Sequence, residues 1–126
     1  MKLRVKGDSI RLRLTRAEVE RLAAEGCVEE KVHVSPNASF SYQLRRAPSV
    51  GSLTATLQDH VIEVQIPEES ARRWCNSDAV TLESVQRHGD VELRIVVEKD
   101  FACLAPRSGE DESDQFRHPR AKGSQS

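Results

Sequence analysis

The chain of 126 residues carries 31% charged side chains, and its acidic and basic residues nearly balance at a net charge of −1. This balance excludes a protein that binds nucleic acid through its overall charge, so any such binding requires a local basic patch. Aromatic residues make up only 4% of the chain, which argues against a base-stacking platform for single strands. No stretch of about 18 apolar residues occurs, so we expect no membrane partner.

Residues 2–14 predict a β-hairpin, because apolar and polar residues alternate on both sides of Gly7 and Asp8. Gly7 suits the position of a type II′ turn that needs a positive φ. A two-residue loop places Leu3 opposite Leu12 on one side of the hairpin. The other side carries the basic hairpin face, whose members are Lys2, Arg4, Lys6, Arg11 and Arg13.

The basic hairpin face predicts an anionic partner, because like charges that lie directly opposite each other destabilise a hairpin. Three interpretations stay open: acidic side chains of the same protein, solvation by water, or an external anion such as nucleic acid or a phosphorylated ligand. The near-neutral net charge makes nucleic acid the less favoured of these partners. If the face that carries Glu30 is buried, that carboxylate needs a cation, and Arg11 or Arg13 is a candidate.

The next residues predict a helix and two strands, after which the same order of elements begins again. Thr15 and Glu18 form a capping box that starts the first helix, and Gly26 is placed to end it. Pro67 is placed at the first position of the second helix, and Trp74 lies on that helix's apolar stripe.

A shift of about 52 positions lays Leu12 on Val64 and Leu22 on Trp74, with matching polarity and element order. We therefore predict one α+β domain over residues 1–104, built from two ββαββ halves at about 1–47 and 52–99. The strands are expected to form a mainly antiparallel eight-stranded sheet or a half-open barrel, covered by two helices. The basic face belongs to the first half alone, because the matching positions of the second half are neutral or acidic.

Residues 105–126 predict a partly disordered tail that is acidic at first and then polar. The acidic run comprises Glu110, Asp111, Glu112 and Asp114. Its carboxylates could fold back onto the basic hairpin face and cover it.

A metal site in this region would use Cys103, Asp111, Asp114 and His118. Their spacing matches no calcium loop, and their mixed hardness suits no single metal. We therefore expect no metal and no cofactor.

Both ends of the chain carry extended motifs, KLRVKGDSIRLRLT at residues 2–15 and EKDFACLAPRSGEDESD at residues 98–114. With these motifs the chain resembles a family of small uncharacterised bacterial proteins, a domain of unknown function. The resemblance covers essentially the whole chain, and it implies a bacterial cytoplasmic protein with no assigned activity. Three widely spaced cysteines are also typical of a cytoplasmic protein with reduced thiols.

The sequence favours a non-catalytic binding or interaction module whose basic hairpin face is covered by its own acidic tail. One alternative is a small enzyme or metal-binding protein that uses the Cys, Asp, Glu and His residues of the C-terminal segment. Another is nucleic-acid or phosphate-ligand binding through the basic hairpin face. An enzyme is less favoured, because the sequence has no nucleophile elbow and no phosphate loop. A monomer or small homo-oligomer is expected, and the partner's identity is left open.

Overall fold

The computed structural model describes residues 1–100, which form two helices and eight strands. In chain order these are β1 Lys2–Val5, β2 Ser9–Leu14, α1 Arg16–Glu25, β3 Cys27–Ser35, β4 Ala38–Ala47, β5 Thr54–Gln58, β6 Val61–Pro67, α2 Glu68–Cys75, β7 Thr81–His88 and β8 Val91–Lys99. The predicted α+β class is confirmed. The predicted tail over residues 105–126 lies outside the described residues.

The strands form two mixed sheets, so the expectation of one eight-stranded sheet or a half-open barrel is wrong. The first sheet has the order β1-β2-β8-β7, and the second has the order β3-β4-β6-β5. In each sheet a parallel central pair, β2 with β8 or β4 with β6, is flanked by antiparallel neighbours. The error has a physical cause: alternating polarity tells which face of a strand is buried, but not which strand lies beside it.

The helices carry the chain from one sheet to the other. α1 connects β2 of the first sheet to β3 of the second, and α2 connects β6 of the second sheet to β7 of the first. Each sheet therefore combines one hairpin from the front half of the chain with one from the back half.

The first hairpin has the predicted register, with Leu3 opposite Leu12 and Arg4 opposite Arg11. Gly7 has a φ of +55°, the left-handed value that a type II′ turn requires at this position. A two-residue loop fixes the register, because a slip by one residue would turn the leucines toward water.

The ends of α1 are also as predicted. The Glu18 N–H donates to Thr15 Oγ1 at 3.3 Å, and the Thr15 N–H donates to the Glu18 carboxylate at 2.9 Å, which completes the capping box. Gly26 ends the helix with a φ of +84°. α2 begins one residue later than predicted, because Pro67 is its N-cap and Glu68 its first residue.

One core lies between the two sheets and the two helices. Its largest fully buried side chains are Trp74, Leu12, Leu14, Leu22, Leu44, Ile66, Ile95, Val28, Val64 and Val97. Trp74 is a core residue as predicted, and its Nε1–H donates to the Val80 carbonyl at 3.1 Å. Within residues 1–100, neither helix has the length and apolar content needed to cross a membrane.

We predict that Thr15→Ala lowers the free energy of unfolding by about 1 kcal/mol, because the substitution removes the side chain that caps α1. Urea denaturation monitored by circular dichroism measures the change. Thr15→Ser is the matched control, since it keeps the hydroxyl oxygen and should retain most of the stability. Equal midpoints for Thr15→Ala and the unsubstituted protein would contradict the role of the cap.

Candidate functional site

The basic hairpin face lies on the outer side of the first sheet. Lys2 pairs in register with Arg13 and Arg4 with Arg11, while Lys6 follows β1 in the turn. Leu12, between the two arginines of β2, is fully buried, so the arginines on either side of it point away from the core. The fold therefore brings the five predicted site residues onto one surface.

Glu98 is the anion that the first sheet itself supplies to this face. It lies on β8 directly beside Arg13 of the parallel neighbour β2. Its carboxylate accepts hydrogen bonds from Arg11 Nη1 at 2.8 Å and from Arg13 Nε at 2.8 Å. The side chain of Glu98 is only 11% exposed, so one nearly buried carboxylate holds two arginines side by side.

Sequence reasoning missed Glu98, because its pairing depends on two strands from opposite ends of the chain. One signal was present: Glu98 directly follows the apolar run of Ile95, Val96 and Val97. A carboxylate at the end of a buried strand needs a cation or several hydrogen bonds.

Glu30 does not meet Arg11 or Arg13, so that expectation is wrong. Its carboxylate lies 3.0 Å from the Met1 ammonium group, which Glu18 also contacts. Burial acts to lower the pKa of the Met1 amine, but its contacts with the two carboxylates outweigh burial and raise this pKa. The Tyr42 hydroxyl donates to the Met1 carbonyl at 2.8 Å. These contacts fasten the start of β1 to the second sheet.

The positive excess of the basic hairpin face is concentrated on β1 and its turn. Arg11 and Arg13 share Glu98, whereas Arg4 and Lys6 form no ion pair within residues 1–100. Lys2 is 76% exposed, and its Nζ lies 3.9 Å from Asp100. An anion that approaches the face from solvent therefore meets these three cations first.

The outer face of the second sheet has the opposite charge arrangement. Its central carboxylate, Glu63 on β6, accepts hydrogen bonds from Arg45 at 2.5 Å, Gln65 at 2.6 Å and Gln43 at 2.7 Å. In the first sheet one carboxylate forms ion pairs with two arginines. In the second sheet one carboxylate is hydrogen-bonded by a single arginine and two amides. The cluster around Glu63 therefore does not repeat the excess of cations on the outer face of the first sheet.

A cavity of about 600 Å³ opens beside α2. The residues that line it are Ser70, Arg72, Arg73, Trp74, Asn76, Ser77, Ala79 and Leu82. These described lining residues include no carboxylate, histidine or cysteine that could act as a general base or nucleophile. Arg72 and Arg73 both pair with Glu69 on the same helix.

The described part of the chain holds no cluster of metal ligands and no thiol whose pKa is lowered. No cluster of three His, Cys, Asp or Glu side chains that could hold a metal ion occurs within residues 1–100. The predicted tail candidates, Cys103, Asp111, Asp114 and His118, lie outside the described residues. Burial is the main cause that raises the thiol pKa of Cys27 and of Cys75, which lowers the population of the nucleophilic thiolate.

Comparison with known proteins matches the chain to a family model. A family model described as "Family of unknown function (DUF7009)" matches residues 1–120 of the chain. No curated protein and no solved structure matches it. These comparisons supply no ligand or activity, so the geometry of the two outer faces carries the functional argument.

Glu63 generates a prediction about the pH dependence of stability. Burial acts to raise the pKa of Glu63, but the hydrogen bonds from Gln65, Arg45 and Gln43 outweigh it, and the pKa lies below the ordinary 4.5. A lowered carboxyl pKa stabilises the folded state above the unfolded-state pKa, and this stabilisation is lost as the pH falls through the folded-state pKa. Glu63→Gln should therefore cost about 1–2 kcal/mol at pH 7, and the cost should shrink below pH 4.5.

Urea denaturation at a series of pH values from neutral to acidic measures this difference. Glu20→Gln, at an exposed position on α1, is the matched control and should change stability little at any pH. A difference between Glu63→Gln and the unsubstituted protein that stays constant into acid would contradict the prediction.

Proposed function

Since the chain belongs to a family of unknown function (DUF7009), its geometry is the guide to its role, and we propose a non-catalytic module that binds an anionic partner. The binding surface is the basic hairpin face. One observation carries the proposal: after Glu98 has paired with Arg11 and Arg13, this face still holds Arg4 and Lys6 without an ion pair within residues 1–100. The described residues of the cavity beside α2 include no carboxylate, histidine or cysteine that could act as a general base, which supports binding over catalysis.

Glu98 prepares the face for a ligand. The side chains of Arg11 and Arg13 are 36% and 24% exposed, so their guanidinium groups are held by Glu98 and still reach solvent. Side chains that are already ordered lose less conformational entropy on binding. A guanidinium fork also suits carboxylates and phosphates, which it binds in bidentate fashion.

We propose that the acidic run of Glu110, Asp111, Glu112 and Asp114 covers the basic hairpin face until a partner displaces it. The run lies outside the described residues, so the support comes from the point where the chain leaves the first sheet. The Asp100 N–H donates to the Leu14 carbonyl at 2.7 Å, which places the exit beside the hairpin strand β2. Ten extended residues reach about 33 Å, enough to bring the run back along β2. Tethering gives the run a high effective concentration at this face.

Nucleic acid or a phosphorylated ligand is the second candidate partner. The specific observation in its favour is that the cations lie on a two-stranded ribbon, a shape that a major groove admits. The net charge of −1 weighs against long-range attraction to a polyanion.

Removal of the acidic run should expose the face. We predict that a chain ending at Leu104 binds polyglutamate at low salt about tenfold more tightly than the full chain does. Arg4→Gln with Lys6→Gln should reverse the gain, and added salt should weaken binding by screening. The control variant of the shortened chain, Arg16→Gln with Arg21→Gln, removes the same charge from α1 and should leave the affinity for polyglutamate unchanged. Fluorescence anisotropy with labelled polyglutamate, and with duplex DNA as a second probe, measures binding.

Each result has a defined meaning. If the shortened chain binds neither probe, the anion-binding proposal is wrong. If the full and shortened chains bind equally, the acidic run does not cover the face. A clear preference for duplex DNA over polyglutamate would replace an acidic protein partner with nucleic acid.

We also propose that the two ββαββ halves arose by internal duplication. The support is topological, because exchanging β1–β4 with β5–β8 converts the strand order of the first sheet into that of the second. Leu12 and Val64, which the proposed shift aligns, are both fully buried in the strands that lie beside β8 and β4.

Sequences of other family members test the duplication. We predict that their front and back halves match best at an offset of about 52, which places Leu12 on Val64 and Leu22 on Trp74. The measurement is the similarity of the two half-profiles at every offset. A best match elsewhere, or none above background, would contradict duplication.

A cytoplasmic, bacterial setting completes the proposal. Cys27 and Cys75 are free thiols in the described part of the chain, which is typical of a reducing compartment.

A further inference from the structure

β1 and β5 are edge strands, and the backbone N–H and carbonyl groups that point away from the sheet lie at equivalent positions in both. Both belong to hairpins with two-residue turns, in which hydrogen-bonded and non-hydrogen-bonded pairs alternate. The hydrogen bond from the Lys6 N–H to the Ser9 carbonyl, at 3.1 Å, fixes the phase of this alternation in the first hairpin. Leu3 and Val5 therefore direct their backbone groups outward from β1, as Ala55 and Leu57 do from β5.

At Ala55 the edge of β5 is closed by a side chain of the other sheet. The Ala55 N–H donates to Gln86 Oε1 at 2.8 Å, and Gln86 Nε2 donates to the Ala55 carbonyl at 3.1 Å. Ser84 Oγ donates to the Leu53 carbonyl at 2.8 Å. Two side chains of β7 thus supply the bonds that a further strand would otherwise make.

Within the described residues, the edge of β1 has no such closure at Leu3. Gln86 lies four residues after Leu82 on β7, and Leu82 pairs with a core residue of β8. Val28 holds the equivalent position on β3, because it too pairs with a core residue of the next strand. The residue four positions after Val28 is Val32. Valine cannot hydrogen-bond to a backbone edge. Within residues 1–100, the outward backbone groups of Leu3 and Val5 have no partner.

The surroundings of this edge are apolar and accessible. Val5 of β1 is 59% exposed, and Val32 of β3, two residues beyond the Glu30 that contacts Met1, is 36% exposed. Met1, in contrast, is held at the start of the strand by Glu30 and Tyr42. The open edge is therefore a short, fixed strand with an apolar inner side and a basic outer side.

We propose that the open edge of β1 binds an extended partner segment that alternates acidic and apolar residues and adds a fifth strand to the first sheet. The inference rests on the proposed function, because the cations of β1 select the acidic residues. Lys2 and Arg4 project outward, while Leu3 and Val5 project inward. An added strand places successive side chains on opposite faces, so its acidic residues lie beside the cations and its apolar residues beside the aliphatic side chains.

The charges and the backbone groups of β1 disfavour two other ligands for its open edge, a second copy of β1 and a phosphate polymer. A second copy of β1 would bring Lys2 and Arg4 beside the same two cations, and like charges on neighbouring strands are destabilising. A phosphate polymer would meet the cations but would leave the N–H groups and carbonyls of Leu3 and Val5 without strand partners. An acidic and apolar peptide satisfies both requirements.

The test uses the full chain and two labelled peptides of the same composition. One peptide alternates Glu and Val, and the other has all its Glu residues before its Val residues. Val32→Gln is the decisive variant, because it places an amide on β3 where Gln86 stands on β7 and should close the edge of Leu3. Val34→Gln, further along the same strand, is the matched control.

We expect the alternating peptide to bind about tenfold more tightly than the block peptide in fluorescence anisotropy. Val32→Gln should remove this difference, whereas Val34→Gln should keep it. An alternating peptide with N-methyl groups at its strand-pairing positions should also lose the difference. This last comparison needs no protein variant, so it decides the matter even if Val32→Gln fails to fold.

Two failures are distinguishable. If both peptides bind equally and both depend on Arg4 and Lys6, strand addition is wrong and the anion-binding face stands. If neither peptide binds and polyglutamate does not bind the chain ending at Leu104, the proposed function itself is wrong.

Discussion

The parallel pairing of β2 with β8 is the constraint on which the rest of the molecule depends. It places the last strand of the described chain beside the second strand, at the centre of the first sheet. This neighbourhood brings Glu98 between Arg11 and Arg13, so a hairpin that carries like charges face to face becomes compatible with folding. Parallel neighbours require a long connection. Here that connection contains both helices and the entire second sheet, which ties the two sheets into one structure.

The two sheets share a plan, and the places where they differ are where function is expected. Buried residues such as Leu12 and Val64 are explained by packing alone. The outer faces are not, because one is organised around a carboxylate shared by arginines and the other around Glu63. The outer edges differ as well, since β7 carries Gln86 where β3 carries Val32. Packing requires neither difference, and the proposed binding role would use both.

Charge and an open strand edge together describe a partner more narrowly than either feature alone. Exposed cations attract many anions and distinguish poorly among them, because the attraction is long-ranged and screened by salt. An added strand pairs with backbone groups such as those of Leu3 only when it is extended and in the right register. The proposed partner, an acidic polypeptide, would use both features, whereas a small anion would use only the charge.

The sequence by itself determined the local features of this protein. The hairpin register and the ends of α1 follow from spacing, because a two-residue turn, a Thr15–Glu18 capping box and a left-handed Gly26 each involve neighbours in the chain. Only the tertiary structure decided which strands became neighbours. Through this pairing Glu98 forms ion pairs with the two arginines of β2, and Glu30 forms one with the Met1 amine. The physical reason is that several strand orders bury the same apolar residues equally well. The alternation of apolar and polar residues therefore determines which face of each strand is buried. Only the packing of the complete core determines which strands lie side by side.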